Sequence, residues 1–400
     1  MINNWFIPDR SEIPTIKKYL LVTLSVIFTS VGMVSARSIL PPAPDIDANS
    51  FVLIDANSEV ILAQHNIEAR VAPASLTKIM TALIVEEEVK AGRTSYDEEV
   101  EVSVKAWRTG GSKMFIREGT KVSVRDLLRG VIVQSGNDAS IALAEHVAGG
   151  EAEFAYMMNE KARRLGLQNT NFVNATGLPS DNHFSTAIDL ARLTMELVKS
   201  HPNHYEMYAE RSFEYNGINQ TNRNKLLWRD LSVDGVKTGY TKKAGYCLIA
   251  SAKRDGMRLV SVVLGTSSDQ DRMKQSQKLL SFGFRNYDTQ LLYGANSEIT
   301  RLEVFYGKSE NVAIIAPTDV YVTAPRGDLK SAITELSVPK YLEAPINKNE
   351  VIGTLSVMVA GEDEIIYETE VLTGDEISEA NLFGKLSDFF YLFYSELFGE

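Results

Sequence analysis

The stretch Pro73-Ala74-Ser75-Leu76-Thr77-Lys78 places a Ser-x-x-Lys pattern directly before an apolar run, Ile79 to Val85. The run predicts a buried helix, and proline is favoured at a helix start. A spacing of three puts Ser75 and Lys78 on one face of its first turn. A serine hydroxyl is a weak nucleophile that needs an adjacent base, and lysine serves as that base only when neutral. Burial, a nearby positive charge and the positive end of the helix each lower a lysine pKa.

Two further short motifs follow in order along the chain. Taken alone, Ser-x-x-Lys is better explained as a helix N-cap followed by a solvated lysine. Ser135-Gly136-Asn137 interrupts a region of helical spacing between residues 123 and 200, and Lys237-Thr238-Gly239 lies in a strand-like segment. The three motifs together are much more specific than any one of them.

The elements around these motifs predict one mixed domain. Apolar runs at Ser50–Asp55 and Val60–Ala63 flank the turn-prone Asn57-Ser58, which predicts a hairpin. Three more strands are predicted at Val233–Gly239, Gly245–Ala252 and Met257–Gly265. The apolar run Leu279–Phe284 predicts a closing helix. We therefore expect an α/β (α+β) domain over 37–294, with an antiparallel sheet built from both ends and a helical cluster inserted between them.

The C-terminal part has a different composition. Short apolar runs separated by Pro and Gly turns predict a small all-β domain over 295–373. These runs are Val312–Ile315, Val320–Thr323, Ala332–Thr334 and Thr354–Val359. Residues 376–400 predict an amphipathic helix that could dock on the protein, mediate association or lie in a membrane interface. Its apolar stripe comprises Leu382, Phe383, Leu386, Phe389, Phe390, Phe393 and Leu397.

The N-terminus has the pattern of an export signal over residues 1–36. Lys17 and Lys18 precede the apolar run Tyr19–Val34, and Val34-Ser35-Ala36 is a small-residue cleavage pattern. An uncleaved anchor is the alternative, but the run is shorter than the roughly 20 residues of a comfortable span. We therefore expect cleavage after Ala36.

Composition excludes some classes of partner and site. The 400 residues, 44% hydrophobic and 23% charged, indicate a soluble protein of two or three domains. A net charge of −11 leaves no excess of cations to neutralise phosphates, so no nucleic-acid partner is expected. Cys247 is the single cysteine, which excludes an intrachain disulfide. We find no His-Glu-x-x-His pattern and no paired Cys/His spacing, and we predict no metal and no cofactor.

The ordered motifs resemble the active site of the penicillin-binding proteins and serine β-lactamases. The resemblance extends to the D-alanyl-D-alanine carboxypeptidases through Asn222–Trp228, Val233–Thr241, Lys243–Tyr246 and Asp319–Gly327. It covers nearly all of the chain after the signal, including the final helix. The chain is thus identified as a low-molecular-mass penicillin-binding protein of the carboxypeptidase type. This implies a transpeptidase-like catalytic domain, a small all-β domain and a C-terminal amphipathic helix.

The resemblance also implies catalytic roles. Ser75 attacks the carbonyl between the two terminal D-alanines of a peptidoglycan pentapeptide stem and forms an acyl-enzyme, and β-lactams acylate the same serine. Lys78 takes the serine proton. Ser135 relays a proton to the leaving amine, and Asn137 binds the acyl-side peptide amide.

Further residues are implied in substrate binding. Lys237 and Thr238 bind the substrate carboxylate, and Gly239 lets the substrate backbone approach the strand edge. The main-chain N–H groups of Ser75 and Tyr240 form the oxyanion hole. Arg272 matches an arginine near the site in relatives, although a solvated surface arginine explains it equally well.

Three other functions use the same motifs. A β-lactamase needs a carboxylate that activates the deacylating water. However, the segment 166–182 contains Asp181 and no Glu, and Gly136 stands where β-lactamases tend to carry Asp. An endopeptidase of this fold would cut a crosslink, but the predicted β domain and helix favour a carboxypeptidase. A slow-turnover β-lactam sensor or wall-binding protein remains open.

The expected location is the periplasmic side of the inner membrane, with peripheral contact through the C-terminal helix.

Overall fold

The computed structural model describes residues 42–359 and 365–398, and the predicted signal segment 1–36 lies outside them. Contacts divide the described chain into two compact units. The first comprises residues 42–290 with Thr323–Leu329, and the second comprises 291–322 and the residues from 330 onward. No helix within the described ranges is long and apolar enough to cross a membrane.

The first unit is organised around a five-stranded antiparallel sheet with the order β2-β1-β9-β8-β7. The strands of this unit are β1 (Ser50–Asp55), β2 (Ile61–His65), β3 (Glu99–Glu101), β4 (Lys121–Ser123), β5 (Ser212–Tyr215), β6 (Ile218–Thr221), β7 (Val233–Thr241), β8 (Gly245–Arg254) and β9 (Met257–Thr266). The predicted hairpin, the three later strands and the sheet built from both ends are confirmed. The separate two-stranded sheets β3–β4 and β5–β6 escaped prediction because strands of three or four largely polar residues show little periodicity.

Helices inserted between β2 and β7 form the predicted cluster, and a long helix follows β9. They are α1 (Lys78–Lys90), α2 (Val104–Arg108), α3 (Val124–Arg129), α4 (Asn137–Ala148), α5 (Glu151–Arg164), α6 (Ala187–Ser200), α7 (Pro202–Tyr205), α8 (Leu226–Arg229) and α9 (Asp269–Asn286). The helix predicted from Ser75 begins as a 3-10 turn, Ala74–Thr77, which leads into α1.

Alternating side chains give the sheet a core on each face. Val52 and Val262 pack with the helical cluster, whereas Leu53 and Val263 pack against α9. Strand β7 is an edge strand, so one side of its backbone has no neighbouring strand in the sheet.

The second unit contains a six-stranded sheet with the order β14-β16-β17-β12-β11-β15. Strands β10 and β13, whose residues are divided between the two units, pair separately as a two-stranded ribbon. The strands that follow β9 are β10 (Tyr287–Tyr293), β11 (Glu298–Phe305), β12 (Asn311–Ile315), β13 (Val320–Pro325), β14 (Ala332–Ser337), β15 (Tyr341–Glu343), β16 (Val351–Val359) and β17 (Ile365–Thr373). The four predicted strands are present, and the all-β character is confirmed.

The last helix, α10, spans Leu382–Phe398. It begins after the start of the predicted segment 376–400, because Ile377 and Glu379 form β-bridges with Ile346 and Gly307. Because these bridges hold residues 377–379 in an extended conformation, the helix starts only at Leu382.

Candidate active site

Ser75 lies in the 3-10 turn that leads into α1. Its side chain is half-buried and reachable from the surface, whereas Lys78, one turn later, is fully buried. Ala74 has a left-handed backbone with φ 48°. That conformation costs a residue with a Cβ roughly 1–2 kcal/mol. The turn around Ser75 is therefore held in place by its surroundings.

Two glycines let neighbouring chain segments close on this turn. A Cβ on Gly177 would lie 1.8 Å from the Ala74 carbonyl oxygen, and Gly177 has φ 81°. A Cβ on Gly239 would lie 3.2 Å from the Pro73 carbonyl oxygen. We expected Gly239 to make room for the substrate backbone. In the structure its missing side chain makes room for the turn that carries Ser75.

The amine of Lys78 contacts three oxygen atoms. Its Nζ lies 3.3 Å from Ser75 Oγ, 2.7 Å from Asn137 Oδ1 and 2.6 Å from the Thr176 carbonyl oxygen. A neutral amine has two N–H groups and one lone pair. When the two short contacts take the N–H groups, the lone pair is left to accept the Ser75 proton. This geometry suits a general base within reach of its nucleophile.

The surroundings of Lys78 favour the neutral amine. Burial and the positive charge of Arg223 lower the pKa of Lys78 from 10.5 to about 7, against a smaller opposing effect of the Asp138 carboxylate. The base form is therefore substantially populated near neutral pH.

Ser135 is brought to the site by a break between helices. A π-helical turn, Gly130–Gln134, ends at Ser135, whose backbone is left-handed with φ 64°. Helix α4 starts two residues later. Lys237 Nζ, from the edge strand β7, donates to Ser135 Oγ at 2.9 Å. The helical cluster and the sheet thus meet at this pair.

Lys237 is itself buried among cations. The pKa of Lys237 lies well below 10.5. Burial is the largest cause, and the positive charges of Lys78, Arg223 and Arg272 lower the pKa further. A carboxylate entering beside this amine would reverse the effect and favour its charged form.

Asn137 is anchored at both ends of its amide. Its Oδ1 accepts from Lys78, and its Nδ2 donates to the Gly110 carbonyl oxygen at 2.7 Å. Its main-chain N–H donates to the Ser112 carbonyl oxygen, also at 2.7 Å. One Nδ2 hydrogen remains for a ligand.

The end of β7 presents the remaining predicted residues in sequence. Thr238 is buried, and Tyr240 is 51% exposed and packs on Tyr246 of β8 with ring centroids 4.3 Å apart. Arg272 of α9 is buried and donates to the Gly239 carbonyl oxygen at 3.0 Å. Arg272 is therefore not a solvated surface residue, and its contact with the site runs through the strand backbone.

His183 lies in the loop before α6 and packs beside the Ser75 turn. It is buried, its Nδ1 accepts from the Val173 N–H at 3.3 Å, and its Nε2 lies 2.8 Å from Thr77 Oγ1. Because Nδ1 is an acceptor, Nε2 carries the proton and donates to Thr77. Burial and the charge of Lys78 lower the pKa of His183 to about 4. This neutral histidine links the loop to the Ser75 turn.

Two groups at the site were missed at the sequence level. Arg223 lies in the quoted stretch Asn222–Trp228 but was given no role, and its Nε donates to the Gln134 carbonyl oxygen at 3.0 Å. The Thr176 carbonyl is a main-chain group, so its residue type carries no signal.

Within the described residues, no three His, Cys, Asp or Glu side chains are grouped to hold a metal ion.

The chain matches two known family models. Residues 37–268 match D-alanyl-D-alanine carboxypeptidase, and residues 287–379 match the C-terminal domain of penicillin-binding protein 5. It is 40% identical over 373 residues to the D-alanyl-D-alanine carboxypeptidase DacA of Escherichia coli K12, covering 91% of this chain and 92% of that protein. The chain belongs to the D-alanyl-D-alanine carboxypeptidase family.

Solved structures of penicillin-binding proteins share the carboxypeptidase fold described here. Penicillin-binding protein 5 of Haemophilus influenzae is similar with a TM-score of 0.81 and 39% identity, over 86% of this chain and 100% of that chain. Ampicillin-bound penicillin-binding protein D2 of Listeria monocytogenes is similar with a TM-score of 0.56 and 33% identity, over 60% of this chain and 100% of that chain. The predicted penicillin-binding/serine β-lactamase-like fold with an added all-β domain is confirmed.

Replacing Arg223 with alanine should move the pH dependence of acylation. The guanidinium lowers the pKa of Lys78, so its removal raises that pKa, and the rate should rise with pH at a higher midpoint. Stopped-flow acylation by a chromogenic cephalosporin, from about pH 5 to about pH 10, measures the midpoint. Arg229→Ala, at an exposed arginine six residues later, is the control. A midpoint that is unchanged or lower in Arg223→Ala contradicts this electrostatic role.

Proposed function

We propose that this carboxypeptidase removes the terminal D-alanine from peptidoglycan pentapeptide stems through an acyl-enzyme on Ser75. One observation carries the proposal. A half-buried serine lies 3.3 Å from a buried, low-pKa lysine whose two other contacts orient its lone pair. This is the arrangement that serine acylation by a lysine base requires.

In the acylation step, Lys78 Nζ takes the hydroxyl proton of Ser75 as Oγ bonds to the carbonyl carbon of the penultimate D-alanine. The main-chain N–H groups of Ser75 and Tyr240 stabilise the oxygen that becomes negative. As the peptide bond breaks, Ser135 relays the proton from Lys78 to the leaving nitrogen, and D-alanine departs. A water molecule then attacks the ester, gives a proton to Lys78, and Ser75 recovers it.

Lys237 and Thr238 bind the substrate carboxylate, and the charge of Arg223 lies near enough to favour it. The carboxylate raises the pKa of Lys237 and holds its positive charge, which in turn keeps Lys78 neutral. Asn137 uses its remaining Nδ2 hydrogen for the acyl-side peptide. β-Lactams carry a carboxylate and a strained amide, and they acylate Ser75 in the same way.

The geometry disfavours a β-lactamase. Asp181 is almost fully exposed, and its carboxylate pairs with Lys243 rather than with a group of the Ser75 site. A Cβ on Gly136 would lie 2.8 Å from Asp138 Oδ1, which leaves no room for the Asp typical of β-lactamases. The match to the C-terminal domain of penicillin-binding protein 5 supports a carboxypeptidase over an endopeptidase.

Replacing Ser75 with alanine should abolish both covalent β-lactam labelling and D-alanine release, because Lys78 then has no hydroxyl to activate. Mass spectrometry of the labelled protein and a D-alanine assay on a pentapeptide measure the two activities. Ser309→Ala, at an exposed serine of the second unit, is the control. Full labelling of Ser75→Ala would falsify the assignment. Labelling of the parent protein without D-alanine release would indicate the β-lactam sensor instead.

We further propose that the mature chain acts on the periplasmic side of the inner membrane, exported by its signal segment and held there by α10. The helix turns its polar side to its own unit. The main-chain N–H of Tyr306 donates to Asp388 Oδ2 at 2.6 Å, and the Tyr391 ring stacks on Phe305 at 5.9 Å. An amphipathic helix that served only to pack on its domain would bury its apolar side.

The apolar side of α10 points to solvent. Its side chains are 53–82% exposed: Leu382, Phe383, Leu386, Phe389, Phe390, Phe393 and Leu397. Aromatic residues favour the membrane interface, and each buried Phe contributes roughly 1.5–3 kcal/mol. Lys385 pairs with Glu379 at 2.5 Å, which weakens any attraction to anionic lipids. Hydrophobic insertion is therefore the main driving force.

A chain that ends at Asn381 should be soluble and retain full activity on a small pentapeptide, because the site lies in the other unit. The parent protein should bind neutral and anionic vesicles about equally, and high salt should not release it. Sedimentation with vesicles measures binding. The control is Lys385→Ala, which should bind as the parent does. Vesicle binding by the truncated chain, or its loss of activity, contradicts an anchoring role.

A further inference from the structure

The turn at residues 174–178 places a main-chain carbonyl against the proposed general base. The carbonyl oxygen of Thr176 lies 2.6 Å from Lys78 Nζ, the shortest of that amine's three contacts. The turn belongs to no helix or strand, so secondary structure does not fix the direction of this carbonyl.

Asn174 supplies the hydrogen bonds that build the turn. Its Oδ1 accepts from the Thr176 N–H at 3.1 Å, from Thr176 Oγ1 at 2.9 Å and from the Gly177 N–H at 2.7 Å. Its Nδ2 donates to the Leu178 carbonyl oxygen at 3.0 Å. One side chain thus satisfies four polar groups over the next four residues, as Asn does in tight turns.

Contacts with the Ser75 turn and with α1 hold the two residues beside Thr176. Thr81 Oγ1 donates to the Ala175 carbonyl oxygen at 2.7 Å, and Gly177 packs on the Ala74 carbonyl oxygen. Neither contact acts on the Thr176 carbonyl itself. That carbonyl shares one planar peptide unit with the Gly177 N–H. The hydrogen bond from the Gly177 N–H to Asn174 Oδ1, together with those from the N–H and hydroxyl of Thr176, therefore sets the direction of the carbonyl.

We propose that Asn174 is a positioning residue for the general base, acting through the Thr176 carbonyl. This inference rests on the proposed role of Lys78. The lone pair of the neutral amine points at Ser75 Oγ only while acceptors hold both N–H groups. Without Asn174 the carbonyl loses its orientation, the amine rotates, and the fraction of molecules ready for proton transfer falls. Asn174 itself does not touch the substrate.

Two replacements of equal shape separate this role from general stability. Leucine has the branched shape of asparagine without acceptors, so Asn174→Leu should lower the acylation rate constant by about ten- to a hundredfold. The non-covalent Kd for the β-lactam should stay within about twofold, because the substrate contacts are intact. Asn174→Asp keeps the acceptor oxygen, so its rate on the high-pH plateau should lie within about threefold of the parent.

The aspartate variant also has a pH signature. A carboxylate beside the turn favours the ammonium form of Lys78, so its pKa rises and the midpoint of the rate profile moves to higher pH. A purely structural defect in the loop would not move this midpoint in that direction.

Stopped-flow acylation and thermal unfolding are measured on the full chain for all variants. Asn171→Leu, three residues earlier in the same loop, is the control and should acylate at close to the parent rate. If Asn174→Leu does not fold, Asn174→Ala repeats the test, and the high-pH plateau rate of Asn174→Asp, which keeps the acceptor oxygen, is compared with that of Asn174→Ala. Three outcomes overturn the inference: a parent-like rate in Asn174→Leu, an equal loss in Asn171→Leu, or an unmoved midpoint in Asn174→Asp. Persistent labelling of Ser75→Ala refutes the proposed function instead, so the two failures are distinguishable.

Discussion

Two buried lysines lie at one site, and burial disfavours the charged form of each amine. Burial lowers the pKa of Lys78 and of Lys237, and each amine lies within the field of other cations. Their titrations are therefore linked. In the mechanism that we propose, a substrate carboxylate breaks this symmetry, because it holds the charge on Lys237 and leaves Lys78 as the neutral base. Binding and base activation thus follow from one electrostatic constraint.

The fold serves this constraint by joining two kinds of structure. Helix α1 and the break before α4 bring Lys78 and Ser135 from the helical cluster, and the edge strand β7 brings Lys237. The backbone is left-handed at Ala74 and at Ser135, two non-glycine residues of the site. Such conformations persist only where the surrounding packing determines them. Gly177 and Gly239 allow that packing, since a side chain at either position would press on the turn that carries Ser75.

The part of this account that sequence could predict is the part that residue types encode. Ser75, Lys78, Ser135, Asn137 and Lys237 were selected by the chemistry and order of their motifs, and the structure brings their side chains together. The long strands β7, β8 and β9 showed a clear period. The sequence gives no signal for the Thr176 contact, because every residue has a main-chain carbonyl. The roles of Arg223 and His183 depend on contacts with residues far away in the sequence. The orientation of α10 depends on the hydrogen bond between Asp388 and the main chain at Tyr306.

The central claim concerns the charge of one amine, which can be observed directly. Lysine side chains labelled with 13C and 15N can be titrated by NMR in the ligand-free protein, with the Lys78 signal assigned by its loss in Lys78→Ala. The account predicts that Lys78 loses its proton at about pH 7. It also predicts that this midpoint falls when a carboxylate-bearing ligand fixes the charge on Lys237. A Lys78 signal that titrates near its ordinary value of 10.5 would contradict the account.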